Sequence, residues 1–263
     1  MEMLVFNMNI IDKINNTTYK IKISNEYLSS IITFNPIKKE LSFFDNNNLT
    51  TYLKCNEYQL RKILHNKRND TYFIGFKLIF SLRDGKDVAA FNDRNKIVVL
   101  DKRYNKMDSY VLDNKKTPIY KIYTDASYFE HKTHGGYAFI IENLQGEYKL
   151  YTGEINKLGS SQAELTSAIE AVRILKNIEK IRIITDSQYV RKGLTEWLPC
   201  WKLNNYKTAN GEDAKNKENW IQFDELTNNK YIEFQWVKGH SNHFENSLCD
   251  MYAKDAGKSK KYL

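Results

Sequence analysis

The chain contains nearly the same phrase twice. The first is Ile122-Tyr123-Thr124-Asp125-Ala126-Ser127; the second is Ile183-Ile184-Thr185-Asp186-Ser187. Each is a short apolar run rich in β-branched residues that ends in Thr-Asp and a small residue. Such a run reads as a buried strand with the Asp at its carboxyl end. If the two strands are parallel neighbours, about 4.8 Å apart, their carboxylates meet at one edge of the sheet. In open α/β sheets that edge is where ligands bind. Two bare carboxylates held so close repel each other, and one tends to keep its proton. A divalent cation removes the conflict.

What precedes this pair is less informative. Residues 1–113 carry no motif with attached chemistry. Leu4 to Ile11, Tyr19 to Ile23, Tyr72 to Leu82 and Ile97 to Leu100 read as strands, and Glu57 to His65 as a short helix. Asp45-Asn46-Asn47-Asn48 reads as a turn. The expectation is a small α+β domain. Tyr72, Phe73 and Phe76 beside Lys77 admit two readings: a stacking surface for bases, or core. Asp113-Asn114-Lys115-Lys116-Thr117-Pro118 is polar and closed by proline, so residues 114–118 are expected to be a linker and 119–263 a second domain.

After the proline the pattern is regular. Ile119 to Tyr123, Tyr137 to Ile141 and Tyr148 to Gly153 read as three antiparallel strands, the last two joined by a turn at Gly146. Ser160-Ser161-Gln162 opens a helix, with a serine available as its cap. Leu165, Ala168, Ile169, Val172 and Leu175 form its apolar stripe, with Glu164 in the first turn. The crossover through this helix lets Lys180 to Thr185 pair in parallel with the first strand. A helix from Ser187 to about Trp197 follows. An aromatic and basic segment then runs through Trp201, Lys207 and Trp220, diluted by Glu212, Asp213 and Glu218. Ile232 to Val237 reads as the fifth strand and leads into Lys238-Gly239-His240-Ser241-Asn242-His243. The last helix starts near Glu245 and carries Asp250.

These pieces resemble the type 1 ribonuclease H family. The matching stretches are Tyr-Thr-Asp-Ala-Ser at 123–127, Ser-Gln-Ala-Glu-Leu at 161–165, Thr-Asp-Ser-Gln-Tyr-Val at 185–190, Trp-Val-Lys-Gly-His-Ser at 236–241 and Asn-Ser-Leu-Cys-Asp-Met-Tyr-Ala at 246–253. One alone is weak; together, in the family's order and spacing, they are specific. The resemblance implies an α/β fold: a five-stranded mixed sheet, three antiparallel strands then parallel ones, flanked by helices. It puts the metal-binding carboxylates at Asp125, Glu164, Asp186 and Asp250 and the mobile catalytic histidine at His240. It implies two Mg²⁺ ions, with Mn²⁺ as a substitute. The implied activity is endonucleolytic hydrolysis of the RNA strand of RNA–DNA hybrids, leaving 5′-phosphate and 3′-hydroxyl ends. Contacts to nucleic acid are expected at Ser161, Gln162, Trp201, Lys207, Asn216 and Trp220, the Trp197–Trp220 segment resembling the family's basic protrusion. The sequence departs from the family where Ser160, Ser161 and Gln162 stand before the catalytic Glu in place of residues that are often Asn, and where Gly159 replaces a Thr that binds phosphate in some members. The alternatives are a catalytically idle hybrid-binding module, or a nuclease preferring double-stranded RNA or RNA–DNA junctions.

Composition agrees with an anionic partner. The net charge is +8 and the isoelectric point about 9.1, which favours nucleic acid. No apolar run approaches the ~20 residues a membrane helix needs. The first eleven residues lack a basic leader and a small-residue cleavage site, so they do not read as a signal peptide. Three scattered cysteines, Cys55, Cys200 and Cys249, fit neither a disulfide framework nor a zinc site. A monomer in a reducing intracellular compartment, such as the cytoplasm, is the expectation. Residues 1–113 are expected to raise affinity for long substrates by tethering.

Overall fold

The structure is a computed structural model describing residues 4–65, 72–83, 93, 95–105, 108–112, 118–129, 134–156, 159–208, 211–239 and 243–258. The chain divides into two compact units. One comprises the N-terminal residues to 83 together with Pro199–Lys215. The other comprises residues 93–198 and 216–258.

The N-terminal unit is built on a five-stranded antiparallel sheet of order β4-β3-β2-β1-β5. Its strands are β1 (Leu4–Asn15), β2 (Thr18–Ser24), β3 (Ser29–Asn35), β4 (Glu40–Phe43) and β5 (Lys77–Leu82). Two helices, α1 (Asn48–Cys55) and α2 (Glu57–His65), cover one face. Alternate residues Phe6, Met8 and Ile10 of β1 and Ile21 and Ile23 of β2 point into that core, with Leu53, Leu60 and Leu64 opposite. This is the period of two that a half-buried strand imposes. Asn47, within the expected turn, caps α1 by accepting from Thr50 N. The strand expected at Tyr72 to Leu82 begins only at Lys77, because Gly75 turns the chain with φ of +92°. Tyr72 and Phe76 are core residues; Phe73 is exposed.

The second unit carries a seven-stranded mixed sheet of order β10-β9-β8-β11-β12-β6-β7. Three strands are antiparallel: β8 (Tyr120–Phe129), β9 (His134–Glu142) and β10 (Tyr148–Asn156). β11 (Lys180–Thr185) and β12 (Tyr231–Trp236) add in parallel to β8. These five strands are the α/β sheet expected from the sequence. Two more extend it: β6 (Ile97–Asp101) and β7 (Asp108–Leu112), both antiparallel. The sheets therefore do not divide at residue 113. Ile97 to Leu100, assigned above to the N-terminal domain, pair with β12 and are at most 1% exposed. Without them, β12 is a bare apolar edge, which folded sheets avoid. The expected linker at 114–118 lies, except for Pro118, outside the described residues.

The helices of this unit are α3 (Ser160–Ile174), α4 (Gln188–Lys192), α6 (Lys217–Leu226) and α7 (Phe244–Lys258); α5 (Leu198–Leu203), between α4 and α6 in the chain, belongs from Pro199 onward to the N-terminal unit. A π-helical turn at Gly193–Trp197 joins α4 to α5. It requires glycine at 193, where a Cβ would stand 2.0 Å from the Trp220 ring. α3 lies against β8 and β9, and α7 against β8, β9 and β10. No helix among the described residues is long and apolar enough to cross a membrane.

One charged pair is locked inside this sheet. Arg182 on β11 and Glu233 on β12 are register partners. Arg182 Nε donates to Glu233 Oε2 at 2.6 Å, and the side chains are only 8% and 2% exposed. Removing one partner strands a charge where water cannot reach it. Arg182→Met is therefore expected to cost roughly 3–5 kcal/mol, with much of the loss recovered in Arg182→Met/Glu233→Met. Urea unfolding of both variants measures this; equal losses would show that the pair is not coupled.

Candidate active site

The parallel pairing of β8 with β11 sets the centre of the site. Thr124 and Thr185 are register partners; Asp186 follows just past the end of β11, while Asp125 follows within β8, which continues to Phe129 instead of ending there as expected. Pleat alternation places both carboxylates on the face that carries Tyr123 and Ile184. That face packs against α7 through a core of Tyr123, Ala138, Ile140, Ile184, Val237, Cys249 and Ala253. Cys249 Sγ lies 3.4 Å from the Tyr123 carbonyl oxygen, which anchors α7 one residue before Asp250. Close approach of helix and sheet is possible because Gly136 has no Cβ, which would stand 2.4 Å from the Ala253 oxygen.

Glu164 arrives from α3. The helix begins at Ser160 with Gly159 as its cap and no side-chain cap bond, so neither serine caps it. Glu164 consequently falls beyond the first turn, not within it as expected. Ser187 was not singled out from the sequence, yet it ties the site together. Its hydroxyl donates to Glu164 Oε2 while accepting from Val190 N at 3.1 Å, capping α4. A serine after strand-ending Asp and before a helix is a readable cap signal. Trp236 Nε1 donates to the Asp186 carbonyl oxygen at 2.9 Å. The chain then passes Asp186 at Gly239, where a Cβ would stand 2.5 Å from Asp186 Oδ2. His240 lies outside the described residues.

The electrostatics follow from this convergence. Burial first, then the negative charge of Asp186, with smaller contributions from Asp250 and Glu164, raise the Asp125 carboxyl from 3.8 to about 8. A hydrogen bond from Ala126 N at 2.7 Å opposes the rise. Burial also raises Glu164, against the lowering effect of Ser187. Asp250 is paired with Lys254 at 2.6 Å. Among the described residues, no three His, Cys, Asp or Glu side chains are grouped as a ready metal cage. The donor chemistry nevertheless fits a hard divalent cation: these are carboxylate oxygens, and their mutual repulsion is what a cation relieves.

The residues expected to touch nucleic acid do not form one set. Ser161 Oγ is buried without a partner. Gln162 Nε2 donates to Asn219 Oδ1 at 2.9 Å, linking α3 to α6. Asn216 starts α6 in the left-handed region and donates to Tyr189 OH at 2.9 Å. Trp220 is a correction: it is fully buried, donates to the same hydroxyl at 3.0 Å and packs on Gly193, so it serves the core. Trp201, partly buried, and Lys207, exposed, belong to the N-terminal unit.

The raised Asp125 carboxyl has a consequence for stability. An acid raised on folding contributes stability that is fully present below 3.8 and is lost as pH climbs toward about 8. Asp125→Asn removes that loss. In EDTA, its melting temperature is expected to exceed the parent's at pH 8, by about 2–4 °C per kcal/mol regained, and to match it near pH 4. The same difference at both pH values would refute the assignment.

Comparison with known proteins covers the same part of the chain. The RNase H family pattern matches residues 117–258. Ribonuclease HI of Haemophilus ducreyi is 39% identical over 133 residues, covering 51% of this chain and 86% of that protein. Ribonuclease H of Actinobacillus pleuropneumoniae is 40% identical over 134 residues, covering 51% of this chain and 87% of that protein. The crystal structure of LC9-RNase H1, a type 1 RNase H with the type 2 active-site motif, aligns at a TM-score of 0.48 and 23% identity, over 57% of this chain and 76% of that one. With the family pattern spanning more than half of its length, and every one of the converging carboxylates inside that span, the chain belongs to the RNase H family and is a ribonuclease H, a hydrolase.

Proposed function

We propose that this chain hydrolyses the RNA strand of RNA–DNA hybrids endonucleolytically, leaving 5′-phosphate and 3′-hydroxyl ends, with two divalent ions held by its carboxylates. One observation carries the reading: Asp125, inside β8, and Asp186, just past the end of β11, each follow a threonine of the register pair Thr124–Thr185, with Glu164 and Asp250 near enough to raise the Asp125 carboxyl. Bound Mg²⁺ or Mn²⁺ would supply an activated water and charge stabilisation at the leaving oxygen. Asp125, Glu164, Asp186 and Asp250 would hold these ions through their carboxylate oxygens.

The remaining work falls to the chain's own groups. Ser187 fixes the rotamer of Glu164, whose free oxygen is available to a ribose 2′-hydroxyl, the group that separates RNA from DNA. Ser161, a partly buried residue whose Oγ has no hydrogen-bond partner, has a hydroxyl proton to give a substrate phosphate. Asn216 and Gln162 are held by Tyr189 and Asn219 and present their remaining amide atoms. His240, one residue after the glycine that passes Asp186, is assigned to proton movement and product release.

Two outcomes test the reading. Asp186→Asn keeps shape and removes a charged ligand, so hybrid cleavage should collapse while binding survives; cleavage at the parent rate would sink the assignment. His240→Ala should slow turnover by ~10²–10⁴-fold, as removal of a general acid–base group does. Normal turnover with a lowered melting temperature would mean a structural role. Both are measured on matched labelled hybrid, double-stranded RNA and double-stranded DNA with Mg²⁺ or Mn²⁺, which also separates hybrid cleavage from a preference for double-stranded RNA.

A further inference from the structure

The N-terminal unit has a second sheet face, opposite the one its helices cover. Register fixes what stands on it. Asn9 of β1 lies between Lys22 of β2 and Lys77 of β5, and Asn7 lies between Ser24 and Ile79. Residues directly opposite across strands share a face, so the central strands present Lys-Asn-Lys in one row and Ser-Asn-Ile in the next. Ser81 follows on the same face of β5 and is hydrogen-bonded to Cys200, which sets the 199–215 segment beside the sheet. Between them lies a cleft of about 440 Å³, to which the segment contributes Asn204, Lys207, Thr208 and Gly211.

The chemistry of this cleft is one-sided. Lys22, Lys77 and Lys207 line it and, among the described residues, no carboxylate does; Glu212 and Asp213, on the same turn as Thr208, do not line it. All three lysines are exposed. Two of its polar atoms, Asn9 Oδ1 and Thr208 Oγ1, are buried without a hydrogen-bond partner. Such atoms cost free energy unless something in the cleft completes them. Half a turn of the Asn9 amide presents its NH₂, and the Thr208 hydroxyl rotates freely, so both can donate to an anion. Lys22 and Lys77 sit two strand spacings apart, about 9.6 Å, so they suit successive charges of an extended polyanion better than one small ion.

We propose that this cleft binds the phosphodiester backbone of nucleic acid, with Lys22, Lys77 and Lys207 on phosphate oxygens and Asn9 and Thr208 donating between them. The sheet side of the site lies before residue 117, where the family match begins, and the 204–211 side lies within that match. The assignment rests on the nuclease reading only for which nucleic acid is bound.

The test is binding of a fluorescein-labelled RNA–DNA hybrid of roughly 40 base pairs to the full chain in EDTA, across a salt series. Lys22→Gln/Lys77→Gln is compared with Lys38→Gln/Lys176→Gln, which removes the same charge elsewhere. Each lost phosphate contact lowers the slope of log affinity against log salt by roughly 0.9, so the cleft variant should lose about 2 and bind about tenfold or more weakly. Lys22→Arg/Lys77→Arg should restore both. A slope and affinity equal to those of the charge-matched control would overturn the proposal, as would a cleft variant that binds like the parent. Cleavage by the parent is scored separately: a parent that binds with a cleft-dependent slope yet cuts nothing would defeat the nuclease reading and leave the cleft standing.

Discussion

The parallel ladder between β8 and β11 is the constraint on which the site depends. It aligns Thr124 with Thr185 and thereby delivers two carboxylates, Asp125 and Asp186, to adjacent places at one sheet edge. A slip of one residue would turn one of them to the other face. The register is held by what surrounds it. Arg182 and Glu233 pair across the next ladder, Trp236 donates to the Asp186 carbonyl, and α7 seats on Tyr123 through Cys249. Much of the apolar core thus serves to keep like charges close, an arrangement that costs stability and that a bound cation would relieve.

That cost explains the character of the neighbouring residues. Glu164 is restrained by Ser187, and small residues stand wherever backbone comes close: Gly239 against Asp186, Gly136 against α7. The site is thus assembled from four elements, β8, α3, β11 and α7, none of which holds it alone. The sheet that carries them needs β6 and β7 as well, since Ile97 to Leu100 close the open side of β12. A boundary drawn at the polar stretch after residue 112 would cut that sheet. Linker composition is a local signal, whereas strand pairing between residues 97–101 and 231–235 is a contact across more than half of the chain.

Where sequence reading failed, the cause was the same each time. Trp220 sits in an aromatic and basic stretch that suggests a nucleic-acid groove, yet it is core, because Gly193 leaves room for its ring and Tyr189 takes its N–H. Glu164 was placed one turn too early because Ser160 resembles a cap, while Gly159 occupies that position. Tyr72 and Phe76 were ambiguous between stacking and packing until the antiparallel sheet and its two helices enclosed them. β3, β4, β7 and α1 were not read at all, and Asn47, the cap of α1, is hidden in what looks like a turn.

The five central strands were legible in the sequence because their apolar runs are local, and the family because its motifs stand in order and at its spacing; the carboxylate set was implied by that resemblance. Tertiary structure alone decided which strands complete the sheet, which aromatic residues are buried and where lysines from separate strands line up. Asn9, Lys22 and Lys77 are far apart in the chain and unremarkable in composition. Only the pairing of β2, β1 and β5 makes them one row, because side chains on different strands acquire a common face through register, which no single stretch of sequence contains.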